Sequence, residues 1–116
     1  MRYVMLIYQN EAEHAQLSQE DLGAELGAYM ALTEEMQHKG LLLNTAAIQP
    51  IHTATTVRVR GGKTVITDGP FAETKEQLRG YLLLNCQDPD EALALAPRIP
   101  AANYGSIEIR PVMELN

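Results

Sequence analysis

The sequence predicts an α+β fold, a β-α-β-β-α-β frame with a β-hairpin inserted at its middle. Three observations predict it. Residues 2–8 and 80–86 are short runs that are apolar on both faces, as central strands are. Residues 18–40 carry helical periodicity between a capping signal and a stop glycine, and residues 56–67 alternate around Gly61-Gly62. With 116 residues, 46% hydrophobic and 21% charged, the chain is expected to form one domain over 1–116.

The first run puts Tyr3, Met5 and Ile7 on one face and Val4, Leu6 and Tyr8 on the other. Residues 9–17 are polar and aperiodic, a loop in which His14 is expected to be solvated. Ser18 followed by Asp21 resembles a capping box, with Glu20 and Asp21 at the positive end of the helix dipole. Leu22, Leu26, Tyr29, Met30, Thr33 and Met36 are expected to form the buried stripe, leaving Glu25, Glu34, Glu35 and Gln37 mostly on the other side. His38 and Lys39 suit the negative end, and Gly40 supplies the left-handed stop.

Leu41, Leu42 and Leu43 open a second strand that ends by Gln49-Pro50. The hairpin follows, with Gly61-Gly62 able to take two positive φ angles and with Arg58, Arg60 and Lys63 on its polar side. After residues 67–76 comes the central run ending at Cys86, a single cysteine that reads as a small buried side chain. Asp88-Pro89-Asp90-Glu91 starts a helix that Pro97 and Pro100 should keep short. Residues 106–112 close the frame, with Ile107 and Ile109 facing one way and Glu108 and Arg110 the other.

Two helices cover only one face of such a sheet. At about 25 cal/mol per Å2 of apolar surface, the uncovered face of the central strands favours a second layer by several kcal/mol. The expected second layer is another copy of the sheet, in a homodimer. A net charge of −6 argues against nucleic acid, whose phosphates need clustered Lys and Arg. Nothing approaches a membrane span, Val4-Met5-Leu6-Ile7 is too short for a signal segment, and one cysteine suits a reducing compartment. The expectation is a cytoplasmic protein with no membrane partner, no cofactor and no metal, since His14, His38 and His52 are scattered.

The chemistry on offer concentrates in residues 67–76, where Asp68 precedes Gly69-Pro70. There it either accepts backbone N–H groups in a turn or acts as a general acid or base beside Phe71 and tyrosines. Glu73 is expected to cap a short turn over residues 74–78.

The run Asp68-Gly69-Pro70-Phe71-Ala72-Glu73-Thr74-Lys75-Glu76-Gln77-Leu78 with Gly80-Tyr81 resembles the signature of the YCII-related family, in its DGPF-domain branch. Similarity extends to Ala54-Thr55-Thr56-Val57-Arg58, Ile99-Pro100-Ala101-Ala102, Gly105 and Glu108-Ile109-Arg110-Pro111. It implies a dimeric α+β barrel built on a ferredoxin-like unit, and it carries over Asp68 as the motif aspartate. A histidine near the start of the first helix, paired with an aspartate in the wider family, is not matched by residues 22–26. Some relatives are fused to, or encoded beside, sigma factors. Two functions follow as expectations. One is an enzyme of small-molecule metabolism, with Asp68 as acid or base and Tyr8, Phe71, Tyr81 and Arg110 contacting substrate in a cleft between sheet and helices. The other is a non-catalytic, ligand-binding or regulatory dimeric module.

Overall fold

Strand β1 (Arg2–Gln9) alternates buried and half-buried residues along its whole length, the pattern of a strand with one face on the core. The computed structural model describes residues 1–115. Antiparallel pairing places β1 between β5 (Gln77–Asn85) and β6 (Ser106–Pro111), and β2 (Leu42–Ala47) flanks β5, so the sheet runs β2-β5-β1-β6. That is the strand order of a ferredoxin-like β-α-β-β-α-β unit. Its helices, α2 (Gln19–His38) and α3 (Pro89–Leu95), pack on one face. Tyr3, Met5, Ile7, Leu82 and Leu84 of the sheet meet Leu32 and Met36 of α2 and Ala92 and Leu95 of α3 in a single core.

Local chemistry explains the boundaries. The Ser18 hydroxyl accepts the Asp21 N–H at 3.1 Å, and Asp88 accepts that of Glu91 at 2.9 Å with Pro89 at the first helical position. Gly40, at φ +71°, ends α2, and Pro97 confines α3 to seven residues before a 3-10 turn. Strands β3 (Thr55–Arg60) and β4 (Lys63–Asp68) turn through Gly61 and Gly62, both at positive φ. They form a two-stranded sheet of their own.

Three expectations need correction. The inward stripe of α2 is Leu22, Glu25, Tyr29, Leu32 and Met36, whereas Leu26 and Met30 are 62% and 61% exposed. The helix is thus rotated so that a carboxylate faces in. Residues 9–17 contain a short helix, α1 (Glu11–His14), capped by the Asn10 side chain. Residues 74–78 form no separate turn for Glu73 to cap, because β5 already begins at Gln77.

The end of α2 is tied to the turn after α3 by Arg98, whose two terminal nitrogens each donate to Glu35 at 2.7 Å, with Lys39 adding a third contact at 3.1 Å. The Arg98 hydrogen bonds, followed by that from Lys39, lower the Glu35 pKa from 4.5 to about 2. A carboxylate with a depressed folded pKa stabilises above its unfolded pKa, and that contribution fades as pH falls towards the folded value. Urea unfolding of wild type and Arg98→Gln should therefore differ at neutral pH, with the gap closing between pH 4.5 and about 2. A gap independent of pH over that window would refute the assignment.

Candidate functional site

On the helix side, β5 leaves space that its neighbours do not fill. Gly80 stands opposite Ile7, and a Cβ there would lie 2.5 Å from the Ala46 carbonyl oxygen, so β2 comes too close for any other residue. Just before it the β1–β5 register slips, Ile7 facing Gly80 and Tyr8 facing Leu78, which leaves Arg79 without an opposite residue. A bulge of this kind re-aims side chains. Consecutive residues Arg79 and Gly80 accordingly line one cavity of about 280 Å3, where a regular pleat would send them to opposite faces. Ile7 and Gln9 of β1, residues 45–47 of β2, Leu22, Glu25, Leu26 and Tyr29 of α2, and His14 of α1 complete the lining.

Glu25 enters this cavity because positions 22, 25, 29, 32 and 36 of α2 form one face. His14 reaches it from the end of α1, where its N–H donates to the Asn10 carbonyl at 3.0 Å. His14 Nε2 lies 3.2 Å from each Glu25 carboxylate oxygen. A carboxylate oxygen accepts here, so the tautomer that completes the contact carries a proton on Nε2 and leaves Nδ1 as an acceptor. Burial pushes the Tyr29 hydroxyl up to about 12, with Glu25 adding to the shift, so the phenol is a neutral donor at physiological pH. Tyr104 is shifted upward by burial first and then by Glu25 acting as acceptor and charge.

The motif segment braces both sides of this pair. The Glu11 N–H donates to Gln77 Oε1 at 2.8 Å, and Asn10 Nδ2 donates to the Lys75 carbonyl at 3.1 Å, fixing α1. The Ile51 N–H is 3.2 Å from both oxygens of Glu11, and Ser106 Oγ donates to Glu76 at 2.7 Å beside Tyr104. Lys75, Glu76 and Gln77 thus hold the elements that carry His14 and Tyr104.

The residues singled out from the sequence lie elsewhere. Tyr8 and Phe71 come together in a second cavity of about 470 Å3, between residues 48–54 and the motif loop. Tyr81 and Arg110 share the sheet face that the helices leave open, Tyr81 opposite Leu6 and Arg110 opposite Val4. The Tyr81 hydroxyl donates to Asn44 at 3.4 Å, and Arg110 pairs with Glu108 at 2.8 Å. The expected grouping of Tyr8, Tyr81 and Arg110 in a cleft beneath the helices is therefore corrected: alternation along β1, β5 and β6 turns them the other way.

Asp68 ends β4 opposite Thr55, exposed, and lines neither cavity. Its turn is held by the Gly69 N–H donating to Ala54 at 2.8 Å and Thr56 Oγ donating to the Gly69 carbonyl at 2.7 Å, with Gly69 at φ +101°. His14, expected to be solvated, is half-buried against Glu25. The missed signal was an acidic residue in phase with Leu22, Tyr29, Leu32 and Met36.

Residues 1–116 match the YCII-related domain. The chain is 38% identical over 114 residues to an uncharacterised protein of Rhizobium meliloti (strain 1021), covering 97% of this chain and 92% of that protein. Among solved structures it is similar to the 5-chloro-2-hydroxyhydroquinone dehydrochlorinase of Burkholderia phenoliruptrix AC1100, in complex with 2,5-dihydroxybenzoquinone. The likeness has a TM-score of 0.49 at 11% identity, covering 97% of this chain and 94% of that one.

Proposed function

We propose, from the premise that this chain belongs to the YCII-related family, that it is an enzyme of small-molecule metabolism working by proton transfer in the cavity beneath α2. The observation that supports this reading is the His14–Glu25 pair, an imidazole held at 3.2 Å by a carboxylate in a largely apolar cavity. Glu25 orients the ring through Nε2 and stabilises the imidazolium that forms when Nδ1 takes a substrate proton. The neutral Tyr29 hydroxyl donates to the oxygen on which negative charge develops. The proton then returns from His14 to the product.

Proton exchange with deuterated solvent, read by 1H NMR over a panel of compact carbonyl and hydroxyl compounds, tests this. His14→Asn should slow any exchange that the wild type catalyses by about 10²- to 10⁴-fold while leaving the circular dichroism spectrum intact. An unchanged rate sinks the reading. A second reading keeps Asp68 as acid or base for a ligand contacting Tyr8, Phe71, Tyr81 or Arg110; Tyr8 and Phe71 share a cavity, which Asp68 itself does not line. Asp68→Asn in the same assay separates the two, because it should leave the rate unchanged under the first reading.

The working form in this proposal is a homodimer packed sheet against sheet, closing into an α+β barrel. Half-buried Val4, Leu6, Tyr81 and Leu83 on the open face support it.

A further inference from the structure

Among the described residues, Arg79 is the half-buried cation that joins no carboxylate; Arg58, Arg60, Lys63 and Lys75 also join none, but they are exposed to water. Half-buried Arg2 and exposed Lys39, Arg98 and Arg110 all lie within 3.1 Å of a carboxylate oxygen. Arg79 is half-buried and joins no such pair among the described residues, in a chain with 15 acidic against nine basic side chains. Its Nε is buried and has no hydrogen-bond partner among the described residues. An N–H of a charged group shut away from water without an acceptor is costly, and a counter-charge at the terminal nitrogens, which are not shut away in this manner, would offset that cost. The bulge opposite Ile7 and Tyr8 sets Arg79 in the cavity wall beside side-chain-free Gly80.

We infer that Arg79 is the anion-binding residue of this cavity and that the molecule bound there is a compact organic carboxylate. The inference rests on reading the cavity as a substrate site. The two terminal nitrogens of a guanidinium offer two parallel N–H donors at the spacing of two carboxylate oxygens. One guanidinium matches a single negative charge, and among the described residues no other Lys or Arg lines the cavity to balance a phosphate dianion. Ile7, Leu22 and Leu26 receive the apolar body of the molecule. Glu25 is already engaged by His14, so the anion is directed to the Arg79 side.

Sodium benzoate and sodium acetate, each paired with its neutral amide, are titrated into the full-length protein by isothermal calorimetry. At least one carboxylate should bind saturably and more tightly than its amide. Arg79→Gln should weaken carboxylate binding about 10- to 100-fold and leave amide binding unchanged. Arg79→Lys should retain part of the affinity, and this guards against misfolding of the glutamine variant. Glu34→Gln, on the exposed side of α2 and outside the cavity lining, should bind the carboxylate as wild type does. Equal affinity for acid and amide, undiminished binding by folded Arg79→Gln, or no saturable binding by either carboxylate overturns the inference. The two readings fail separately: an unchanged exchange rate in His14→Asn sinks the acid–base pair, and undiminished carboxylate binding by Arg79→Gln sinks the anion site.

Discussion

Gly105→Ala is expected to destabilise the protein by about 3 kcal/mol or more, at the upper end of what overpacking costs. A Cβ at this position would lie 2.1 Å from the Tyr8 carbonyl oxygen and 3.1 Å from that of Ala101. Both are backbone atoms, which no rotamer change can move. Gly105 is where the chain leaves the 3-10 turn Pro100–Asn103, its N–H donating to Ala101 at 2.7 Å, and enters β6 beside Tyr8. Relief therefore requires β6 to lift from β1, breaking ladder bonds and shifting Tyr104 away from Glu25. For a domain of this size the loss corresponds to about 10 °C or more in Tm. A variant within about 1 kcal/mol of wild type would mean that the close approach is absent in solution.

If the proposed homodimer forms, Leu83→Asp is expected to turn it into monomers at micromolar concentration, measured by light scattering on a sizing column. Leu83 pairs with Val4 at the middle of the open face, flanked by Leu6 and Tyr81. In a sheet-to-sheet dimer an aspartate there would be buried without a partner, at a cost of several kcal/mol. The hairpin gives a second reason to expect a partner copy. Val57 and Ile66 face each other across it at 59% and 68% exposure, and an isolated two-stranded ribbon is marginal in water.

The radius of gyration is 16.3 Å, where a compact chain of this length has about 13 Å. The flat outline of 47 × 46 × 19 Å fits one sheet with a single helix layer and a projecting arm. Phe71 is 77% exposed and shares a cavity with Tyr8. If Leu83→Asp elutes as wild type does, the sheet-to-sheet arrangement is wrong.

Much of the fold was legible because its determinants are local. Ser18 and Asp88 accept N–H groups three residues on, and Gly61 and Gly62 take turn angles that other residues avoid. Alternation of Tyr3, Met5 and Ile7 against Val4, Leu6 and Tyr8 is a property of the strand itself. The candidate site was less legible. Hydrophobicity favours a stripe through Leu26 and Met30 over one that includes Glu25, so the rotation of α2 ran against the composition of its faces.

What the sequence by itself determined is the α+β frame, its inserted hairpin and the family signature over residues 68–81, all written in caps, turns and side-chain period. Only the tertiary structure decided that His14 meets Glu25 and that Arg79 faces the cavity. Both depend on surfaces distant in sequence. Lys75 and Gln77 hold α1 from more than sixty residues away, and the slip between β1 and β5 exists only once the two strands pair. The motif itself marks the brace, while the chemistry it positions comes from α1 and α2.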